Sequence, residues 1–210
     1  MSSIFDTLTF ALDTTPHVIR DYIDAYDPEP DTARARFTAP DALTAAAHWY
    51  AANGIPVFPC KPGSKTPATS HGFKDATTNT GQITQWWTTN PQYNIAIPTG
   101  IFFDVLDIDH PTLAWPQLRQ EITTKTLTPF QAVHTPRGLH YYLPPAPEAR
   151  NTTNIVPGAD FRANGGYVLT PPSVINPSPI YPGGRYRWAG APWPTANSLT
   201  AHGVQQEAGA

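Results

Sequence analysis

Phe102-Phe-Asp-Val-Leu-Asp-Ile-Asp-His110 is the stretch whose reading decides the fold. It is an apolar run that ends in carboxylates, bounded by Gly100 and Pro111, and it predicts a buried strand. Strand side chains alternate between faces, so Asp107 and Asp109 point one way with Ile108 opposite, their Cα atoms about 6.6 Å apart. Asp104 has the other parity and goes with Leu106. Two carboxylates at one strand end repel each other unless a cation lies between them. Hard divalent ions such as Mg²⁺ or Mn²⁺ take oxygen ligands of this kind, with substrate phosphates completing the shell. Asp-x-Asp-His is also the form of a plain polar strand exit. The flanking segments have to separate the two readings.

Downstream, Gln131-Ala-Val-His-Thr135 and Leu139-His-Tyr-Tyr-Leu143, joined across Pro136-Arg137-Gly138, form a hairpin pattern. Its second arm puts His140 and Tyr142 on one face. A lone strand histidine is usually structural, but His140 lies near Arg137 and near a glycine that lets backbone approach a ligand closely. Ala159-Asp-Phe-Arg162 and Tyr167-Val-Leu-Thr170, separated by Ala163-Asn-Gly-Gly166, predict a second hairpin. Asp160 and Arg162 share a face there, and Asp160 reads either as a salt-bridge partner of its neighbour or as a third metal ligand. Arg185-Tyr-Arg-Trp188 predicts a last short strand. Between these, residues 113–122 predict a helix, with Pro116 required in its first turn.

Upstream, Pro40-Asp41 opens an Ala-rich helix that Gly54 should stop. Ile55-Pro-Val-Phe-Pro59 reads as an edge strand, because its prolines cannot donate to a ladder. The turn-rich loop that follows presents Lys61 and Lys65, either as solvated lysines or as cations facing phosphates. Thr80 to Pro91 predicts a short helix, with Trp86 and Trp87 divided between core and interface. Asn94-Ile-Ala-Ile-Pro-Thr-Gly100 is the strand that feeds the acidic one. Residues 1–36 carry a weak helical pattern followed by an acidic linker, 37–195 the main folded domain, and 196–210 a small polar tail.

Charged residues make up 14% and hydrophobic ones 40% of the 210, a balance that suits a folded domain. The 25 prolines predict short helices and long loops. A net charge of -3 argues against an indiscriminate cationic coat for nucleic acid, though not against a local basic groove. The single cysteine, Cys60, excludes an internal disulfide and a cysteine-rich zinc site. With no signal peptide and no apolar run long enough to span a bilayer, a soluble, cytoplasmic monomer is expected.

In their order, these segments resemble the bifunctional DNA primase/polymerase domain of phage and plasmid replication proteins, within the archaeo-eukaryotic primase superfamily. The resemblance runs from about residue 42 to 190. It is carried by Gly54-Ile-Pro-Val-Phe-Pro with Lys61 to Pro67, Trp86-Trp87 through Gly100, Asp107-Ile-Asp109, Thr135-Pro-Arg-Gly-Leu-His140, and Asp160-Phe-Arg-Ala-Asn-Gly-Gly-Tyr-Val168 with Pro171-Pro-Ser173. It implies an α+β fold: an RRM-like mixed or antiparallel catalytic sheet flanked by helices, joined to a smaller N-terminal α/β unit. It implies a two-ion Mg²⁺ or Mn²⁺ site on Asp107, Asp109 and Asp160, and a phosphate contact from His140. Arg162, Lys65 and Arg137 fall near the triphosphate by looser correspondence. Gly138 stands where the family often keeps a small hydroxyl residue, so a contact there would come from backbone N–H.

The activity so implied is template-dependent nucleotidyl transfer, with dNTPs or NTPs on a single-stranded or primed DNA template. Stacking and backbone contacts would hold the template, giving little sequence preference and a clear salt dependence. A helicase domain in a longer parent protein is the expected partner. The competing readings are a metal-dependent nuclease, which shares the acidic cluster, and an origin-binding or replication-initiator module. A rolling-circle nickase needs a His-x-His pair, which His-Tyr-Tyr at 140–142 lacks.

Overall fold

The computed structural model describes residues 42–125 and 131–189. The Pro40-Asp41 helix start and the expectations for residues 1–36 and 196–210 lie outside them. Two antiparallel sheets and a separate two-stranded pair organise what is described. Helix α1 (Ala42–Ala52) ends as its sequence requires: Gly54 takes φ 77°, and the Asn53 amide donates to the carbonyl of Trp49 at 2.8 Å. Strand β1 (Phe58–Cys60) pairs only with β2 (Asn94–Pro98), so Pro59 sits on an edge, where its missing N–H is harmless. Between them runs α2 (Thr80–Thr89), whose N-cap Asn79 accepts from the N–H of Gln82 at 2.9 Å. Trp87 is buried, as expected of the core member of the pair, and Trp86 packs partly exposed against the same core.

The acidic stretch forms β3 (Asp104–Ile108), followed by α3 (Pro111–Lys125), β4 (Gln131–His134), β5 (Leu139–Leu143), β6 (Thr152–Val156) and β7 (Ala159–Arg162). Then come β8 (Tyr167–Leu169), β9 (Val174–Ile175), β10 (Gly184–Arg185) and β11 (Arg187–Trp188). The larger sheet has the order β11-β4-β5-β3-β7-β6, and every neighbouring pair is antiparallel. Within it, β3, β4, β5 and β7 stand in the spatial order β4-β5-β3-β7, the RRM order, with the β6 arm where an RRM has its second helix. The smaller sheet, β1-β2-β8, carries α1 and α2.

Strand β3 is buried on both faces, which is why it reads as a continuous apolar run rather than an alternation. Leu106 and Ile108 join Leu139, Tyr141 and Phe161 in a core closed by Ala114 and Leu118 of α3. Val105 joins Tyr142, Val133, Ile95, Ile97 and Trp87 in a second core beneath the smaller sheet. Asp107 lies on that second face by parity, at the point where the apolar packing stops. No helix among the described residues is long and apolar enough to cross a membrane.

Several expectations need correction. Residues 159–170 are not a hairpin: β7 pairs with β3 and β6, whereas β8 pairs with β2 in the other sheet. The glycines of 163–166 let the chain cross between sheets instead of turning back, and Gly165 takes φ 85° there. The smaller unit is consequently not purely N-terminal, because β8 comes from far along the chain. Residues 185–188 split into β10, paired with β9, and β11, at the edge of the larger sheet. Helix α3 begins at Pro111, so Pro116 lies in its interior rather than its first turn. Strand β6 was not anticipated, because Asn151-Thr-Thr-Asn is polar and mostly exposed, with Asn154 at φ 53° breaking the register.

Candidate active site

Strand register assembles the site. Asp107 stands directly opposite His140 on β5 and opposite Asp160 on β7, so one carboxylate of the central strand meets a functional neighbour on each side. Directly opposed residues of an antiparallel pair share a face and are its closest side-chain neighbours. Arg162, two residues beyond Asp160, shares that face as well.

Asp107 is only 4% exposed. The Nε2 atom of His140 lies 3.3 Å from its Oδ1, and Arg162 Nε lies 3.8 Å from its Oδ2. The His140 approach is out of hydrogen-bond alignment: Asp107 Oδ1 and His140 Nδ1 are both buried without a hydrogen-bond partner. Burial pushes the Asp107 carboxyl up, but His140, Lys65 and Arg162 outweigh it and hold the group at about 2. An anion is thus stabilised in a nearly dry position by cations and dipoles arranged around it. The His140 ring is fixed by Tyr186, 5.6 Å away between centroids, and by Tyr142 at 6.3 Å.

These groups open on a cavity of about 300 Å³ between the two sheets. Asp107, His140, Arg162, Lys65, Asn151 and Tyr167 line it, together with the backbone at Gly165 and Gly166. The volume is at the lower end for a small-molecule site. A Cβ on Gly166 would fall 2.5 Å from Asn151 Oδ1 and 2.8 Å from Thr99 Oγ1, so the wall is bare backbone by necessity. Asn151 accepts from the N–H of Ala163 through Oδ1 at 2.9 Å. Neither Asn151 nor Tyr167 is singled out by the sequence; the one usable signal is Ala-Asn-Gly-Gly at 163–166, read there as the turn of a hairpin whose second strand starts at Tyr167.

The other expected site residues are placed differently. Asp160 accepts from Arg162 Nη2 through Oδ2 at 2.5 Å and from the N–H of Asn154 through Oδ1 at 2.7 Å, so it is the salt-bridge partner that its neighbour suggested. Asp109 lies one residue past the end of β3, gripped through both oxygens by Arg137. The Arg137 guanidinium also sits over the Tyr181 ring at 4.7 Å. Gly138 donates its N–H to Thr135 Oγ1 at 3.0 Å within its own turn. A Cβ there would come 1.9 Å from the carbonyl oxygen of Ile108, so this glycine lets the hairpin turn lie against the end of β3. Among the described residues, no three His, Cys, Asp or Glu side chains are grouped closely enough to hold a metal ion.

Fold and site together define a class: an α+β protein that presents acidic and basic side chains next to one another at a cavity on the face of an antiparallel sheet. Within it the chain belongs to the bifunctional DNA primase/polymerase family, N-terminal domain, which matches residues 47–201. DNA primase/polymerase activity, with DNA and nucleotides as substrates, comes with that membership. Among curated proteins none matches the chain.

Proposed function

We propose that the chain carries out template-dependent nucleotidyl transfer by a two-metal mechanism, in the replication of phage or plasmid DNA. The observation that carries this reading is Asp107: buried, ionised, flanked across the sheet by His140 and Asp160, and opening on the cavity that Lys65 and Arg162 share. As they stand the three acids are not grouped to hold an ion, so a divalent ion would have to draw them together. Asp107 Oδ1 is a buried oxygen without a hydrogen-bond partner, and Arg137 and Arg162 put positive charge on the other two carboxylates, where an ion's charge would otherwise be needed. Asp107, Asp109 and Asp160 would hold Mg²⁺ or Mn²⁺, the last two on release from their arginines. Bound there, the ions would supply acidity to the primer 3′-hydroxyl and charge neutralisation to the leaving pyrophosphate.

The chain's own residues would do the rest. Lys65 and Arg162 neutralise phosphate oxygens, and Arg162 gains freedom to do so once Asp160 has another cation. His140, which lines the cavity with its ring fixed by Tyr186 and Tyr142, would border the triphosphate and hold Asp107 in place. Bare backbone at Gly165 and Gly166 admits the nucleotide close to the wall. The barrier falls through positioning and electrostatics, because phosphoryl-type transfer leaves the protein little covalent work.

The test is incubation of the protein with primed single-stranded DNA, Mn²⁺ and dNTPs. Extension is expected. Shortening of the primer would favour the nuclease reading, and binding without turnover an origin-binding module. Asp107→Asn should reduce extension by about 10²- to 10³-fold, as loss of a principal electrostatic group does, with the folded circular-dichroism spectrum retained at the assay temperature. Extension at the normal rate in that variant would remove Asp107 from the site.

A further inference from the structure

The loop of residues 60–67 brings Lys65 to the cavity, and its backbone is held by groups outside it. Asn94, on β2 and 2% exposed, donates through Nδ2 to the carbonyl of Ser64 at 3.0 Å and to that of Val174 at 2.7 Å. Its Oδ1 accepts from the N–H of Val174 at 2.9 Å. One buried amide therefore joins three chain segments: β2, the Lys65 loop and β9. The Tyr167 hydroxyl donates to the carbonyl of Lys65 itself at 3.0 Å, and the N–H of Asn176 donates to that of Gly63 at 2.9 Å. Gly63 takes φ 65°, and a Cβ there would meet the exposed Asn176 side chain at 2.2 Å and push it aside.

A long, exposed lysine loses rotamer freedom whenever it is held at one place, and a fixed backbone reduces what remains to be lost on binding. An apolar residue would serve the packing of a buried β2 position as well as an amide does, without desolvating polar atoms. The amide is instead satisfied by backbone groups of the lysine loop and of the strand behind it.

We propose that Asn94 and the Tyr167 hydroxyl are positioning residues that fix the Lys65 loop, so that the ammonium group meets the triphosphate of the incoming nucleotide. The proposal rests on the reading of Lys65 as a phosphate ligand. The test is a set of double-mutant cycles. Nucleotide KM and kcat are measured by primer extension in Mn²⁺ for Lys65→Ala, Asn94→Ala, Tyr167→Phe and the combinations with Lys65→Ala, alongside DNA affinity and melting temperature. Lys65→Ala should raise nucleotide KM by about tenfold or more, as loss of a charged hydrogen bond does. Asn94→Ala and Tyr167→Phe should each raise it about three- to tenfold, the equivalent of one lost hydrogen bond, with kcat and DNA affinity little changed. Added to Lys65→Ala, neither should raise KM further.

Full additivity with Lys65→Ala, or an unchanged KM in the two tether variants, would overturn the positioning role while leaving Lys65 as a ligand. An unchanged KM in Lys65→Ala would overturn the ligand reading itself. If Asn94→Ala does not fold, Tyr167→Phe carries the decision, since it removes one partly exposed hydroxyl and keeps the ring against Phe58 and Phe73.

Discussion

Asp104 and Asp107 lie three residues apart on one strand, and their surroundings push them in opposite senses. Asp107 is held at about 2, whereas burial raises Asp104 to about 6 against a single N–H from Ala146. Asp104 Oδ1 has no hydrogen-bond partner. For an acid whose folded pKa is raised, the folded state keeps a proton that the unfolded chain has already released. Stability therefore falls as pH rises from about 4 to 6 and stays lower above that. The shift corresponds to about 3 kcal/mol of destabilisation at neutral pH. Asp104→Asn should accordingly raise the melting temperature at pH 7.5 and change it little at pH 4, as read by thermal unfolding at both pH values. An equal change at both would show that charge is not the cause. The sequence separated these two acids by strand parity alone. It did not show that Arg137 would seize Asp109, because that pair forms between a strand exit and a hairpin turn, and no local pattern records such a meeting.

At the scale of elements, legibility followed locality. The α1 helix, its glycine stop and the β4–β5 hairpin were readable because each is settled within about a dozen residues. Strand β7 was readable as a strand but not in its pairing, since its partners β3 and β6 are chosen by which face finds a core. Helix α3 shows the same limit. Its pattern placed Pro116 at the start, yet the chain continues helical from Pro111 and leaves this proline exposed in the interior. An interior proline removes one helical hydrogen bond and crowds the preceding turn, costing about 3 kcal/mol relative to alanine. Pro116→Ala should therefore stabilise the protein by about 1–3 kcal/mol, seen as a higher denaturant midpoint with an unchanged slope. A lower midpoint would mean that the helix needs this proline in order to cover Leu106 and Ile108.

Of the passages the chain makes between the two larger sheets, those from β2 to β3 and from β7 back to β8 shape the cavity. They run against each other. Thr99 donates through its hydroxyl to the carbonyl of Ala163 at 2.7 Å and through its N–H to that of Gly166 at 3.0 Å. Gly100, at φ 84°, presses so closely on the second crossing that a Cβ would stand 2.3 Å from the backbone nitrogen and Cα of Asn164. Neither atom can move without shifting the wall of the cavity, since Gly165 and Gly166 follow immediately. No sequence pattern announced this contact, because it joins segments more than sixty positions apart and has no side chain in it. Gly54 provides the comparison: it takes φ 77° with nothing within 4 Å of a built Cβ, so alanine there meets conformational strain alone. Gly54→Ala should cost about 1 kcal/mol. Gly100→Ala adds a backbone collision to the same strain and should cost about 3 kcal/mol or more. It should also weaken nucleotide binding, because relief of the collision displaces Gly165 and Gly166. Chemical denaturation of both variants, with nucleotide titration into each, decides the matter. Equal stability losses and equal nucleotide affinity would mean that the crossings are not what holds the cavity in shape.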